Sequence, residues 1–135
     1  MRNTSTETNS YDNLFAGEVA EPISINIADS QTIKRGDLLE CAVTETYAAG
    51  PPPTVTRAVA ASFAKAAAVA DIKNIYVIAA DDITTGDGET TKKIAAYRSG
   101  NFDSTKIGLG GSSTVADNYT TLLAKGIVLK TAQSN

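Results

Sequence analysis

The segment DDITTGDGE, residues 81–89, places Asp81, Asp82, Asp87 and Glu89 in one short stretch. Carboxylates at that density could chelate a hard cation, or act as acid and base in a hydrolysis. A helix–loop–helix calcium site needs ligands at fixed alternate positions, a central glycine and a terminal bidentate glutamate. This stretch lacks that order and the flanking helices. Gly86-Asp87-Gly88 carries tight-turn chemistry, so the reading is a solvated hairpin or a longer loop.

Three other places could do chemistry. GLGGSST, residues 108–114, looks like a phosphate cradle ahead of a helix. It has no Lys where a Walker loop requires one, and it lacks the last glycine of a dinucleotide fingerprint. Cys41 is the only cysteine, so it has no internal disulfide partner, and the chain has no histidine to activate its thiol. Beside Leu38, Leu39 and Val43 it reads as a buried structural thiol. Arg35-Gly36-Asp37 spells an adhesion tripeptide, but Gly36 suits a turn between strands, and a turn is the expectation. No Ser stands with a plausible general base. The residues therefore point away from an enzyme, and no catalytic, metal or cofactor site is expected.

The elements that would position these residues belong to a chain of 135 residues and 14.0 kDa, the size of one domain. The formal charge is −3, with no polybasic cluster, so no direct contact with nucleic acid is expected. No apolar run approaches the roughly 20 residues of a membrane span, and no membrane association is expected. The start, MRNTSTETNSYDN, is polar without the apolar stretch of a signal peptide. Much of the 42% hydrophobic share is alanine, which buries little area, so a thin core completed by partner contacts is expected.

Residues 1–13 lack periodicity and read as a flexible arm. Leu14 and Phe15 follow as an apolar pair, which either tucks against the domain or orders only on a partner. PISINIA, residues 22–28, alternates Ile23, Ile25 and Ile27 with polar or small residues and predicts a half-buried strand. A short element follows at residues 31–33, and Leu38, Leu39 and Val43 lie beyond the Gly36 turn. AAGPPPT, residues 48–54, is a break with an extended, polyproline-like connection. After it, Val55, Val59, Phe63 and Ala67 recur every four residues in an Ala-rich segment. That predicts a helix over residues 55–70 capped by Thr54, against a competing reading as strand pieces. NIYVIAA, residues 74–80, predicts a buried strand, and TKKIAAYR, residues 91–98, another. In TVADNYTTLLAKG, residues 114–126, Val115, Tyr119 and Leu122 or Leu123 share a helix face. Thr114 and Asp117 have capping-box spacing, and Gly126 is placed to end the helix before a terminal strand, residues 126–130. The fold class is mixed α/β: a small β-rich single domain with a short C-terminal helix followed by a strand, and a flexible N-terminal arm.

PISINIADSQTIKRGDLLE, NIYVIAADDI, IAAYRSGNFD and LLAKGIVLK occur in this order and spacing. Together they resemble the head decoration proteins of tailed bacteriophages, the family of the lambda capsid-stabilising protein. The resemblance runs from about residue 22 to 130, with residues 55–71 outside it. It implies a virion protein, made in the host cytoplasm, that sits on the outer capsid surface. It implies a homotrimer at threefold and quasi-threefold positions of the expanded head, cementing the major capsid protein against DNA pressure. On this resemblance residues 1–20 are a flexible capsid-binding arm and residues 21–135 the core domain. Leu14 and Phe15 become the apolar partner-binding anchors. Two other readings stand beside it: a small β-rich domain recognising a host surface or glycan, and a hydrolase using carboxylates from Asp81 to Glu89.

Overall fold

The computed structural model describes residues 14–69, 73–109 and 114–130. In chain order the strands are β1 (Phe15–Val19), β2 (Ile23–Asn26), β3 (Thr32–Ile33), β4 (Leu38–Cys41), β5 (Val43–Ala48) and β6 (Thr54–Val59). They continue as β7 (Ala64–Lys65), β8 (Ile75–Ala79), β9 (Ile83–Thr84), β10 (Lys93–Tyr97), β11 (Gly100–Asp103) and β12 (Ile127–Lys130). A helix, α1 (Val115–Ala124), precedes β12, so the chain is a β-rich mixed α/β domain with a short helix near its C-terminus.

The β-branched run around residue 77 explains the centre of the fold. β8 lies in a five-stranded antiparallel sheet of order β2-β10-β8-β4-β7. Successive side chains of a strand point to opposite faces. Tyr76 and Ile78 therefore enter one apolar cluster, with Leu38, Phe102, Leu122, Ile127 and Leu129. Val77 and Ala79 enter a second, with Ile25, Ile27, Ile33, Leu39, Ile94 and Ala96. Leu38 and Leu39 of β4 split in the same way.

Each face needs its own cover. On the first, a three-stranded sheet of order β1-β11-β12 and helix α1 supply it, with β12 running parallel to β11. On the second, the β3–β9 pair contributes Ile33, and Ile83 packs at the margin. Thr85, buried beside that pair, is satisfied: its hydroxyl donates to Ala28 O at 2.7 Å and accepts from Gln31 N at 2.9 Å. The segment linking β8 to β10 is thus a long loop carrying β9.

Helix α1 starts as the spacing predicts. The Thr114 hydroxyl accepts from Asp117 N, and the Asp117 carboxylate accepts from Thr114 N, each at 3.2 Å. It ends at Gly126, whose φ of +85° few other residues adopt at low cost. The buried stripe is Asn118 and Leu122, however, while Tyr119 and Leu123 are exposed. Asn118 takes the inward position because its amide is consumed, accepting from Val69 N at 2.8 Å and donating to Thr114 O at 2.7 Å.

Over its described part, residues 55–69, the predicted helix over residues 55–70 is not formed. Residues 54–59 are strand β6, paired with β5 in an antiparallel hairpin from Val43↔Val59 to Ala48↔Thr54. Residues 64–65 are strand β7, paired with β4. The four-residue spacing of Val55, Val59 and Phe63 fits alternation equally well, and Thr54, Val55, Thr56 and Val59 are β-branched. Residues 49–53 reverse the chain as the hairpin's tip instead of extending it. Apart from Val43, every residue of this hairpin's strands is exposed.

We predict that Ile78→Ala destabilises the domain by about 2–5 kcal/mol, through lost transfer free energy and a cavity. Thr46→Ala, on the exposed hairpin, should change stability by less than about 0.5 kcal/mol. Equilibrium urea unfolding checks both.

Candidate functional site: the Arg35–Asp37 turn and the root of the N-terminal segment

The adhesion-like tripeptide is built into the framework. The Arg35 backbone N–H donates to Asp82 Oδ1 at 2.7 Å, and its guanidinium donates to Ala80 O at 2.8 Å. The same guanidinium lies 5.3 Å from the centre of the Phe15 ring, within cation–π range. Gly36 has φ +98°, and a Cβ there would run into the carbonyl oxygen of Lys106. Asp37 is 6% exposed. Its carboxylate accepts from Lys34 N at 2.9 Å and pairs with Lys65 Nζ at 3.2 Å. On the backbone, Gly36 N donates to Ala79 O and Ala79 N to Asp37 O, each at 2.9 Å. Gly108 N donates to Gly36 O at 3.1 Å, and Leu38 N to Gly108 O at 2.9 Å. This turn locks three chain segments together and presents no free tripeptide for adhesion.

Leu14 and Phe15 stand where the N-terminal sequence meets the fold. Leu14 is 2% exposed and belongs to the first apolar cluster. Its carbonyl accepts from Asp103 N at 2.7 Å. Phe15 is half-buried and meets Tyr97 edge-on at 5.1 Å and Phe102 at 6.1 Å. Such contacts add about 0.5–1.5 kcal/mol beyond burial. Of the two readings of this apolar pair, the one in which it tucks against the domain describes the isolated chain. Of the segment 1–20 expected to be a flexible arm, residues 1–13 lie outside the described residues. Residues 15–19 are strand β1, paired antiparallel to β11. They are held because Phe15 has aromatic partners and Gly100 admits close approach. At Gly100, φ +143°, a Cβ would stand 2.6 Å from Val19 Cα. Asn101 Nδ2 adds a bond to Glu18 O at 3.1 Å.

The residues that could do chemistry are not brought together. Asp82 serves Arg35 N, while Glu89 Oε1 accepts from Gly86 N at 2.9 Å and Glu89 Oε2 lies 3.5 Å from Lys92 Nζ. The Gly86 N–H holds the Glu89 carboxyl below its usual range. Among the described residues no three acidic or thiol side chains converge as metal ligands. Most of the glycine-rich stretch, residues 110–113, lies outside the described residues. The Asp117 carboxylate closes the start of the helix behind it, where an anion would otherwise be attracted. Cys41 is 2% exposed, its thiol donates to Ala60 O at 3.2 Å, and burial pushes its pKa up.

The described residues also line surface hollows. One, about 410 Å³, is lined by Ser104, Ala116, Tyr119 and Leu129. Another, about 210 Å³, is lined by Ile75, Tyr76, Arg98, Ser99 and Lys125, whose ammonium donates to Asn74 O at 2.9 Å. Among these described lining residues there is no carboxylate or thiol to act as base or nucleophile. Sequence reasoning missed the Arg35–Phe15 stack and the Asp37–Lys65 pair. Gly36 was a signal for the turn, but nothing local tied residue 37 to residue 65.

Gly36→Ala should lower stability by more than about 1 kcal/mol, since the backbone conformation excludes a Cβ. Asp37→Ala should cost about 1–3 kcal/mol by leaving the Lys34 N–H unsatisfied, with partial relief because Lys65 reaches solvent. Chemical denaturation reads both. Cys41 should react with iodoacetamide far more slowly in the native protein than in urea, and a native rate matching the unfolded one would contradict its burial. Comparison of the chain with protein-family models, with curated protein sequences and with solved structures found no match.

Proposed function

We propose that this protein decorates the outer surface of a tailed-bacteriophage head, as a homotrimer on the major capsid protein at threefold and quasi-threefold positions of the expanded lattice. The observation that carries the reading is spatial. The four sequence blocks of the resemblance are neighbours in one module: β2, β10, β8 and β4 adjoin in one sheet, and β11 adjoins β12 in the next. Of the unlike sequence, residues 55–59 lie in the β5–β6 hairpin, while Ala64–Lys65 join the central sheet as β7 and Phe63 and Ala66 pack against its two faces.

The N-terminal sequence supplies the contact with the coat. Residues 1–13 are rich in Thr, Ser and Asn and lead directly into β1, an edge strand of its sheet. A polar segment of this kind recovers its ordering entropy by adding backbone hydrogen bonds to a partner sheet. Leu14 and Phe15 anchor its root, so that a pull on the segment reaches the domain core. Single contacts of this size are weak, and coupling three copies in a trimer on a repeating lattice multiplies them.

Incubation with verified expanded heads lacking their decoration protein, alongside unexpanded heads, tests the proposal by co-sedimentation. Saturable binding selective for expanded heads, near three copies per threefold or quasi-threefold position, is the expected result. Deleting residues 1–13 should abolish it while leaving the thermal midpoint nearly unchanged. Failure of the intact chain to sediment with properly expanded heads would sink the cement role.

A further inference from the structure

The β5–β6 hairpin is a feature that the decoration reading does not use. Directly opposed residues of an antiparallel pair lie on the same face. One face therefore carries Val43 with Val59, then Glu45 with Arg57, then Tyr47 with Val55; the other carries only threonine and alanine. Tyr47, Val55 and Val59 are 66%, 64% and 56% exposed. Glu45 and Arg57 form a 3.1 Å ion pair between the apolar pairs, itself largely exposed. No third strand joins this ribbon among the described residues, and an isolated two-stranded ribbon is marginally stable in water.

We propose that this face is a twofold contact between two copies of the chain. Its charge pattern is complementary to itself: the acid stands on one strand and the base directly opposite on the other. When two such faces stack with their tips on the same side, at any crossing angle below a right angle, Glu45 of each copy lies nearer Arg57 of the other than its Glu45. The apolar Tyr47 and Val55 then meet Val55 and Tyr47 of the second copy. Stacking with opposed tips would bring like charges together, so the arrangement also selects an orientation. The ribbon is about 20 Å long, and one face buries less than the roughly 800 Å² per partner of a stable complex. The contact is therefore weak between free molecules. On the decoration reading it would link neighbouring trimers once a lattice holds them side by side.

The test uses no capsid, so its outcome is separate from that of head binding. Sedimentation velocity of the full chain, up to about 1 mM, measures association beyond the smallest species present. The wild type should associate, and added salt should weaken it. Glu45→Arg alone and Arg57→Glu alone should each lose at least about tenfold in affinity, because each places like charges across the contact. An equimolar mixture of these two variants should regain the wild-type association, since two bases then face two acids. The mixture separates contact between copies from mere loss of the pair within one hairpin. Near-identical circular dichroism of both variants verifies their folding. A wild type that shows no such association, or a mixture no stronger than its components, overturns the proposal.

Discussion

Two adjacent strands buried on both faces, β4 and β8, set the terms for the rest of the molecule. Their side chains alternate between two apolar clusters, so neither face can be left to solvent. A sheet of this kind requires two covering layers, and a chain this short must make them from small pieces. The β1-β11-β12 sheet and α1 make one, and the β3–β9 pair with Phe63 makes the other. The entry to β4 is correspondingly rigid. Gly36 and Asp37 bind β8 on one side and Gly108 on the other, so the turn fixes the registration of the central strands against the covering layer.

This arrangement also accounts for where polar groups are buried. Asp37, Thr85, Asp103 and Asn118 sit at the seams between layers, and each is engaged by hydrogen bonds. A buried polar group without partners would cost about as much as a core truncation. At a seam it does the opposite, because its directional bonds fix how two layers meet. The carboxylates and the thiol that suggested chemistry are occupied in this way or stand apart in solvent.

The sequence was most legible where one physical signal dominated. IYVIA could be read as a buried strand because five consecutive apolar residues with β-branching leave few alternatives. Thr114, Asp117 and Gly126 marked both ends of α1 because capping chemistry is local. Residues 55–70 were misread because alanine and a four-residue spacing favour a helix, while the fold rewards β pairing across the Pro-rich tip. The signal was present in TETYA and TVTRAV flanking that tip, two β-prone runs separated by a short turn. On α1 the reading placed Leu122 inward as it is, but took Tyr119 for its neighbour and missed Asn118, which is polar and whose bonds to Val69 and Thr114 alone reveal why it faces inward. The Asp37–Lys65 and Arg35–Phe15 contacts join residues distant in sequence, and no local pattern encodes them.

The pairing of β1 with β11 has a consequence for how the molecule is made. Phe15 stands opposite Phe102, and Val19 opposite Gly100, while β11 rests in turn on β12 near the end of the chain. On the ribosome, β1 emerges before the strand it pairs with, and β2 to β10 are made in between. The central sheet can assemble before then, because β2, β4, β8 and β10 all precede β11. Closure of so long a loop is entropically costly and comes late. β1 is thus left without its partner strand until β11 has been made, and β12, made later still, completes the sheet that seats it.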